Sequence, residues 1–243
     1  MAAIGVSRND PASSVMTLAP FMYCGPIDPE RRRVSVHESS HAIVGWLVGF
    51  RPRLIRIGAE HGGFVDLLPD YSQRPVYRDS FIAPFALFLA AGIDDFNDNG
   101  YLGPLPTTLP VNGARAVLDI ISILAAGRAV DCVPDSHPAC IGSDQHQIDT
   151  LQARYPSLRP AVDRLQAWLP EFIDTLRPEI DAVADKLLEP STMAAASWLG
   201  LEDLDRLRAE FDERRFQAES RTLNVRLEAL ALLAEAGWRD VAA

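Results

Sequence analysis

Two histidines and a glutamate near the start of the chain have the spacing of a metal-dependent hydrolase. They are His37, Glu38 and His41 in the segment HESSH. Residues four apart project from one face of a helix, so the two imidazoles can bind one cation. If a third protein ligand leaves one position open, zinc makes a water molecule there acidic enough to attack a carbonyl near neutral pH. Glu38 misses the cation but can reach that water as a general base.

The motif also has an ordinary structural interpretation. A five-residue pattern occurs by chance in long sequences, and the alternative is two partly buried helix histidines beside a solvated glutamate. The context favours a metal site, because Ser39 and Ser40 are small and the motif lies within an apolar helical stripe. The third ligand is open from spacing alone, and the candidates are Asp144, His146, Asp149 and His137.

A capped helix is predicted to carry the motif. Asp28 can cap its start, Pro29 suits its first turn, and Glu30 favours the positive end of its dipole. Gly49 and Pro52 can end it. A helix spanning about 28–48 would therefore hold the two histidines on one face.

The rest of the chain predicts a mainly α fold (α+β) with a small β element beside the HESSH helix. Two short strands are expected at 53–57 and 64–68, joined by the turn signal HGG. Pro170 and Pro178 are expected to break or start helices. The remaining predicted segments are a helix at 114–130, a loop at 134–142, a helix from 143 towards 155, helical stretches at 160–188 and one or two charged helices at 201–233.

Composition excludes several classes of protein. Acidic residues exceed basic ones by 33 to 23, and this net charge of −10 argues against binding nucleic acid or an anionic membrane. Lys186 is the only lysine and follows Ala-Asp, so no phosphate-binding P-loop is encoded. Cys132 and Cys140 have a spacing that fits no usual structural zinc site. With no signal peptide and no apolar run of about 20 residues, we expect a soluble, cytoplasmic protein.

Four segments resemble, in order, the FtsH-type metallopeptidase domain. Segment 34–46 around HESSH is similar to that family's HEAGHA helix, and GFVDLLP at 63–69 to its edge strand. ILAAGRAVD at 123–131 resembles its LxGGRAAE helix, and GSDQHQI at 142–148 its GASNDLxxA segment. In addition to these four, LLEPST at 187–192 resembles the closing helix of that domain. The resemblance covers about 30–205 and suggests an arm at 1–27, a peptidase domain at 28–205 and a helical extension at 206–243.

The resemblance implies a zinc metallopeptidase. In that family the aspartate of the GASNDLxxA segment is the third zinc ligand. The resemblance therefore implies that His37, His41 and Asp144 bind zinc while Glu38 activates water. An edge strand can bind an unfolded polypeptide or peptide by strand addition. The strand residues implied in this contact are Phe64, Val65, Asp66 and Leu67. An ordinary covered strand is the alternative.

The sequence also departs from the family. Ser39-Ser40 stands where the family has Ala-Gly, and Ala125-Ala126 where it has two glycines, both changes being small in size. Segment 79–112 is longer than its counterpart. The ATPase and membrane segments that precede this domain in FtsH are missing. A separate ATPase or an adaptor is therefore one candidate partner, and a second copy of the chain in a homo-oligomer is another. Two other functions stay open: an interaction protein that binds metal without cleaving, and a hydrolase of non-peptide amides.

Overall fold

The computed structural model describes residues 29–58, 62–69, 113–130, 138–189 and 196–239. This part of the chain is mainly helical with a three-stranded antiparallel sheet, which confirms the predicted fold class. The elements in order are α1 (Pro29–Leu47), β1 (Phe50–Ile57), β2 (Gly63–Pro69), α2 (Gly113–Val130), α3 (Pro138–Arg154), a short 3-10 turn (Pro156–Leu158), α4 (Arg159–Thr175), α5 (Arg177–Leu187), β3 (Ser197–Gly200), α6 (Leu201–Glu210) and α7 (Glu213–Arg239). Within these ranges, no helix has the length and apolar character needed to cross a membrane.

The predicted HESSH helix is confirmed as α1, and it lies in the centre of the fold. Almost every residue from Val34 to Leu47 is buried, because α2, α5, α7 and the sheet pack around the helix. Gly49 ends this region in the left-handed conformation, with a φ of 88°. A helix enclosed on all sides holds its polar side chains in the interior, where each needs a partner.

The sheet lies against α1 in the order β2-β1-β3. Ile55 and Ile57 of β1 are fully buried on the helical side, whereas Arg56 between them is exposed. Among the described residues β2 pairs only with β1, so its other side is an edge of the sheet. The two predicted strands are confirmed and are longer than expected. The third strand was not predicted, because its four residues are too few to show alternation.

Two predictions about helix boundaries are wrong. The predicted loop at 134–142 is helical from Pro138 onward, since proline suits the first turn of a helix. Pro170 does not break α4, because Leu169 and Phe172 beside it are buried and hold the helix in place. Pro178 does begin α5, as expected. Segments 1–28, 70–112 and 131–137, including Cys132 and His137, lie outside the described residues, as does the side chain of Cys140.

The C-terminal helix α7 packs into the same hydrophobic core as α1 and α2. Its buried face contributes Phe216, Leu223 and Leu227 to that core. Polar contacts reinforce the packing, because buried Arg115 of α2 donates hydrogen bonds to both the carbonyl and the side-chain oxygen of Asn224. The described part of the expected extension therefore belongs to the folded body.

Replacing Arg115 with alanine is expected to lower the free energy of unfolding by about 3 kcal/mol, because Asp119 is fully buried and would lose its cation. Urea denaturation measures the change. Arg206→Ala is the matched control, since Arg206 is exposed and its pair with Asp203 spans 3.9 Å. A loss at position 115 no larger than the control's would contradict the contribution of this ion pair.

Candidate metal centre

His37 and His41 project from one face of α1 into the interior. Their Nε2 atoms lie 3.0 Å apart, and their rings meet edge to face. Only 4% and 7% of the two residues is exposed. The i, i+4 spacing therefore brings two imidazole nitrogens to one point, as the sequence predicts.

Asp144 of α3 completes a triangle with the two histidines. Its Oδ2 lies 3.1 Å from Nε2 of His37 and 3.3 Å from Nε2 of His41. The structure thus brings together the three residues that the family resemblance selects, and this buried group could hold a metal ion. The rivals His146 and Asp149 are exposed on α3.

The dimensions of the triangle fit a small cation. A tetrahedral zinc ion with nitrogen and oxygen ligands at about 2.0–2.2 Å separates those ligands by roughly 3.3–3.5 Å. The three distances between ligand atoms, 3.0, 3.1 and 3.3 Å, are close to this value. The donor set also fits, because imidazole suits zinc, copper, iron and nickel more than magnesium or calcium.

The hydrogen bonds around the triangle leave its lone pairs directed inward. Nδ1 of His41 lies 2.7 Å from the carbonyl oxygen of Ile123, so it donates there and leaves Nε2 of the neutral ring as an acceptor. Oδ2 of Asp144 is buried and faces the Nε2 atoms of both histidines. Lewis bases this close together are stabilised by a cation between them.

Asp144 is held in its ionised form. Burial opposes the charge, but when the two imidazoles carry protons towards the carboxylate, their hydrogen bonds and positive charge outweigh burial and hold the pKa of this carboxyl well below its usual range. The side chain is therefore an anionic ligand at neutral pH.

Gly127 of α2 allows the helix to approach the ligands. A methyl group at this position would lie 2.6 Å from Nε2 of His37 and 2.7 Å from Nε2 of His41. These distances are far inside van der Waals contact. The missing side chain therefore preserves the space in which a cation would sit.

Glu38 follows His37 on α1, and its side chain lies against the sheet. Its side chain is 5% exposed, and a methyl group at Gly63 would lie 2.5 Å from Oε1 of the carboxylate. Gly63 is the first residue of β2. The first residue of the edge strand is therefore in direct contact with Glu38, the candidate general base.

Polar contacts between α2 and α3 hold the segment that carries Asp144. Arg128 donates a hydrogen bond to Oε1 of Gln145, the residue after Asp144, and Nε2 of Gln145 donates to Oδ1 of Asp149 over 2.7 Å. Arg128 thus helps to hold α3 against α2, and Asp149 is engaged in this chain of contacts rather than in the triangle.

Comparison with known proteins gives no further guide. No protein-family model, curated protein or solved structure matches this chain. The FtsH-type resemblance therefore stays a prediction that rests on the quoted segments.

Sequence reasoning missed the contributions of Ile123, Gly63 and Gly127. A backbone carbonyl leaves no trace in the sequence. Gly127 does leave a trace. An isolated glycine in an apolar helix costs about 1 kcal/mol of stability relative to alanine, which indicates that another group packs closely against this position.

We expect Gly127→Ala to fold but to bind metal weakly, because the new methyl group would displace both imidazoles. The measurement is the zinc content after dialysis, together with competition against a chromophoric chelator. Gly62→Ala is the matched control, since nothing lies within 4 Å of a methyl group there. Equal zinc affinity in the two variants would show that the triangle does not hold the ion.

Proposed function

We propose that this protein is a zinc-dependent metallopeptidase of the FtsH type. The observation that carries the proposal is the convergence of His37, His41 and Asp144 in a buried triangle, with Glu38 next to it at the start of an edge strand. Two histidines and one carboxylate form a three-ligand zinc site, and catalytic sites of this kind keep a fourth position open.

Each residue has a distinct part in the proposed reaction. His37, His41 and Asp144 would hold the zinc, which when bound supplies a Lewis acid that acidifies water and polarises a carbonyl. Glu38 would accept the proton of the attacking water at its carboxylate and deliver it to the leaving amine. Its contact with Gly63 supports this part, because packing against the strand restricts the positions that the carboxylate can take.

The side of β2 that pairs with no strand in the described ranges is the proposed binding site for substrate. A peptide added to this edge would form backbone hydrogen bonds with the strand and run past Glu38. Val65 and Leu67 pack towards the core, so their side chains would hold the strand rather than touch substrate. Phe64 is 46% exposed beside Gly63 and is the side chain best placed for contact, whereas Asp66 pairs with Arg53.

The substrate class follows from the proposed mode of binding. Strand addition needs an extended chain, so peptides and unfolded segments of proteins fit and folded domains do not. A folded substrate would have to be unfolded before it could bind in this way, and an ATPase is the class of partner that could do so.

Glu38→Gln is expected to retain zinc but to lose peptide hydrolysis by roughly 100-fold or more, because the amide cannot accept the proton. Casein cleavage and zinc content, measured on the same preparation, test both parts. Glu202→Gln changes an exposed glutamate on α6 and should leave both unchanged.

Two outcomes would overturn the proposal. Wild-type protein prepared without chelators that contains no zinc contradicts the ligand assignment. Zinc-loaded protein that cleaves neither casein nor a peptide library favours the interaction protein that binds metal without cleaving.

Phe64→Ala is expected to lower kcat/KM for peptides by about tenfold, because an aromatic contact with the added strand is lost on the exposed face of β2. Leu68→Ala is the matched control, since Leu68 is similarly exposed (44%) at the far end of the same strand. Equal effects of the two substitutions would place the substrate elsewhere.

A further inference from the structure

The outer face of α7 carries an apolar stripe that nothing in the described chain covers. The members of this stripe are Ala218, Thr222, Val225, Ala229, Leu232 and Ala236. All six are exposed, and Val225 and Leu232 are 71% and 58% exposed. Their spacing alternates between four and three residues, which is the repeat of a coiled-coil seam.

The stripe lies opposite the face by which α7 joins the core. The buried residues Phe216, Leu223 and Leu227 are shifted by two residues from stripe positions, which is about 200° around a helix. Packing in the core therefore explains why the buried residues of α7 are apolar. It does not explain why the stripe residues are. The stripe runs for about 27 Å, the length of a substantial helix–helix contact.

The sizes of the stripe residues match a second, antiparallel copy of the same helix. When Val225 lies against the partner's Ala229, Leu232 lies against the partner's Thr222. The two exposed aliphatic side chains of the stripe, Val225 and Leu232, thus do not lie against each other's copies across the seam. A two-fold axis repeats both contacts, which makes the surface self-complementary.

The flanking charges favour the same arrangement. Arg221 and Glu235 are seven residues on either side of position 228, on one flank of the stripe. In the antiparallel pair Arg221 faces the partner's Glu235, and the two-fold axis gives this contact twice. A parallel pair would instead place Arg221 near the partner's Arg226, which is repulsive.

In the antiparallel pair, Glu228 and Arg226 each lie near their own copy across the two-fold axis. Both side chains already have contacts within their own chain. Glu228 accepts a hydrogen bond from Arg115 over 3.0 Å. The guanidinium of Arg226 lies over the ring of Trp168, 5.4 Å from its centroid. Both side chains are therefore drawn towards their own chain and away from the axis.

We propose that α7 forms an antiparallel homodimer through this stripe. The partner is a second copy of this chain, and the interface is independent of the metal centre. Sedimentation velocity over a range of protein concentrations should show a monomer–dimer equilibrium for the wild-type chain. The double variant Val225→Glu/Leu232→Glu should sediment as a monomer, with an unchanged circular dichroism spectrum.

A charge-reversal series tests the antiparallel register. Arg221→Glu alone and Glu235→Arg alone each turn two attractive contacts into repulsive ones, so each should weaken dimerisation by about tenfold. An equimolar mixture of the two single variants should dimerise as the wild type does, because every contact in the mixed dimer is again attractive. Glu202→Arg on α6 is the control and should leave dimerisation unchanged.

The proposal fails if the wild-type chain is monomeric at every concentration. It also fails if the dimer survives Val225→Glu/Leu232→Glu, because another face would then form it. A mixture of Arg221→Glu and Glu235→Arg chains that dimerises no better than either alone would exclude the antiparallel register. None of these readouts depends on zinc or on peptide cleavage.

Discussion

The close approach of α2 to α1 is the contact on which the centre depends. Gly127 lets the backbone of α2 come up to the two imidazoles, and the carbonyl of Ile123 fixes the ring of His41 by accepting from Nδ1. A bulkier residue at 127 or a shift of α2 would change both ring positions at once. The geometry of the ligands is therefore set by helix packing rather than by the HESSH motif alone.

Much of the fold and of the candidate centre could be predicted, because the signals were local. The pair His37 and His41 needs only a helix, and the caps and apolar spacing of α1 supply it. Asp144 could not be chosen over its rivals by spacing, since a distant helix can present many residues to one point. The family resemblance selected it, and the structure places its carboxylate 3.1 Å from His37.

The features that could not be predicted depend on tertiary contacts. Pro170 remains inside α4 because buried neighbours stabilise the helix on both sides, which overrides the local effect of proline. Strand β3 exists because β1 offers a pairing edge to four residues that show no pattern of their own. From the sequence, the residues of the stripe on α7 were part of a charged, amphipathic region. They could be told apart from the buried face only once the packing of the helix was known.

The burial of the ligands also bears on how long an ion would stay. The two histidines come from one helix, and Asp144, with 14% of its side chain exposed, comes from another. An ion bound by all three residues would lose its carboxylate ligand whenever α3 moved away from α1. Its residence time then follows the free energy of that opening as well as the strength of three bonds. The rate at which such an ion exchanges would therefore depend on how stably α3 packs against α1.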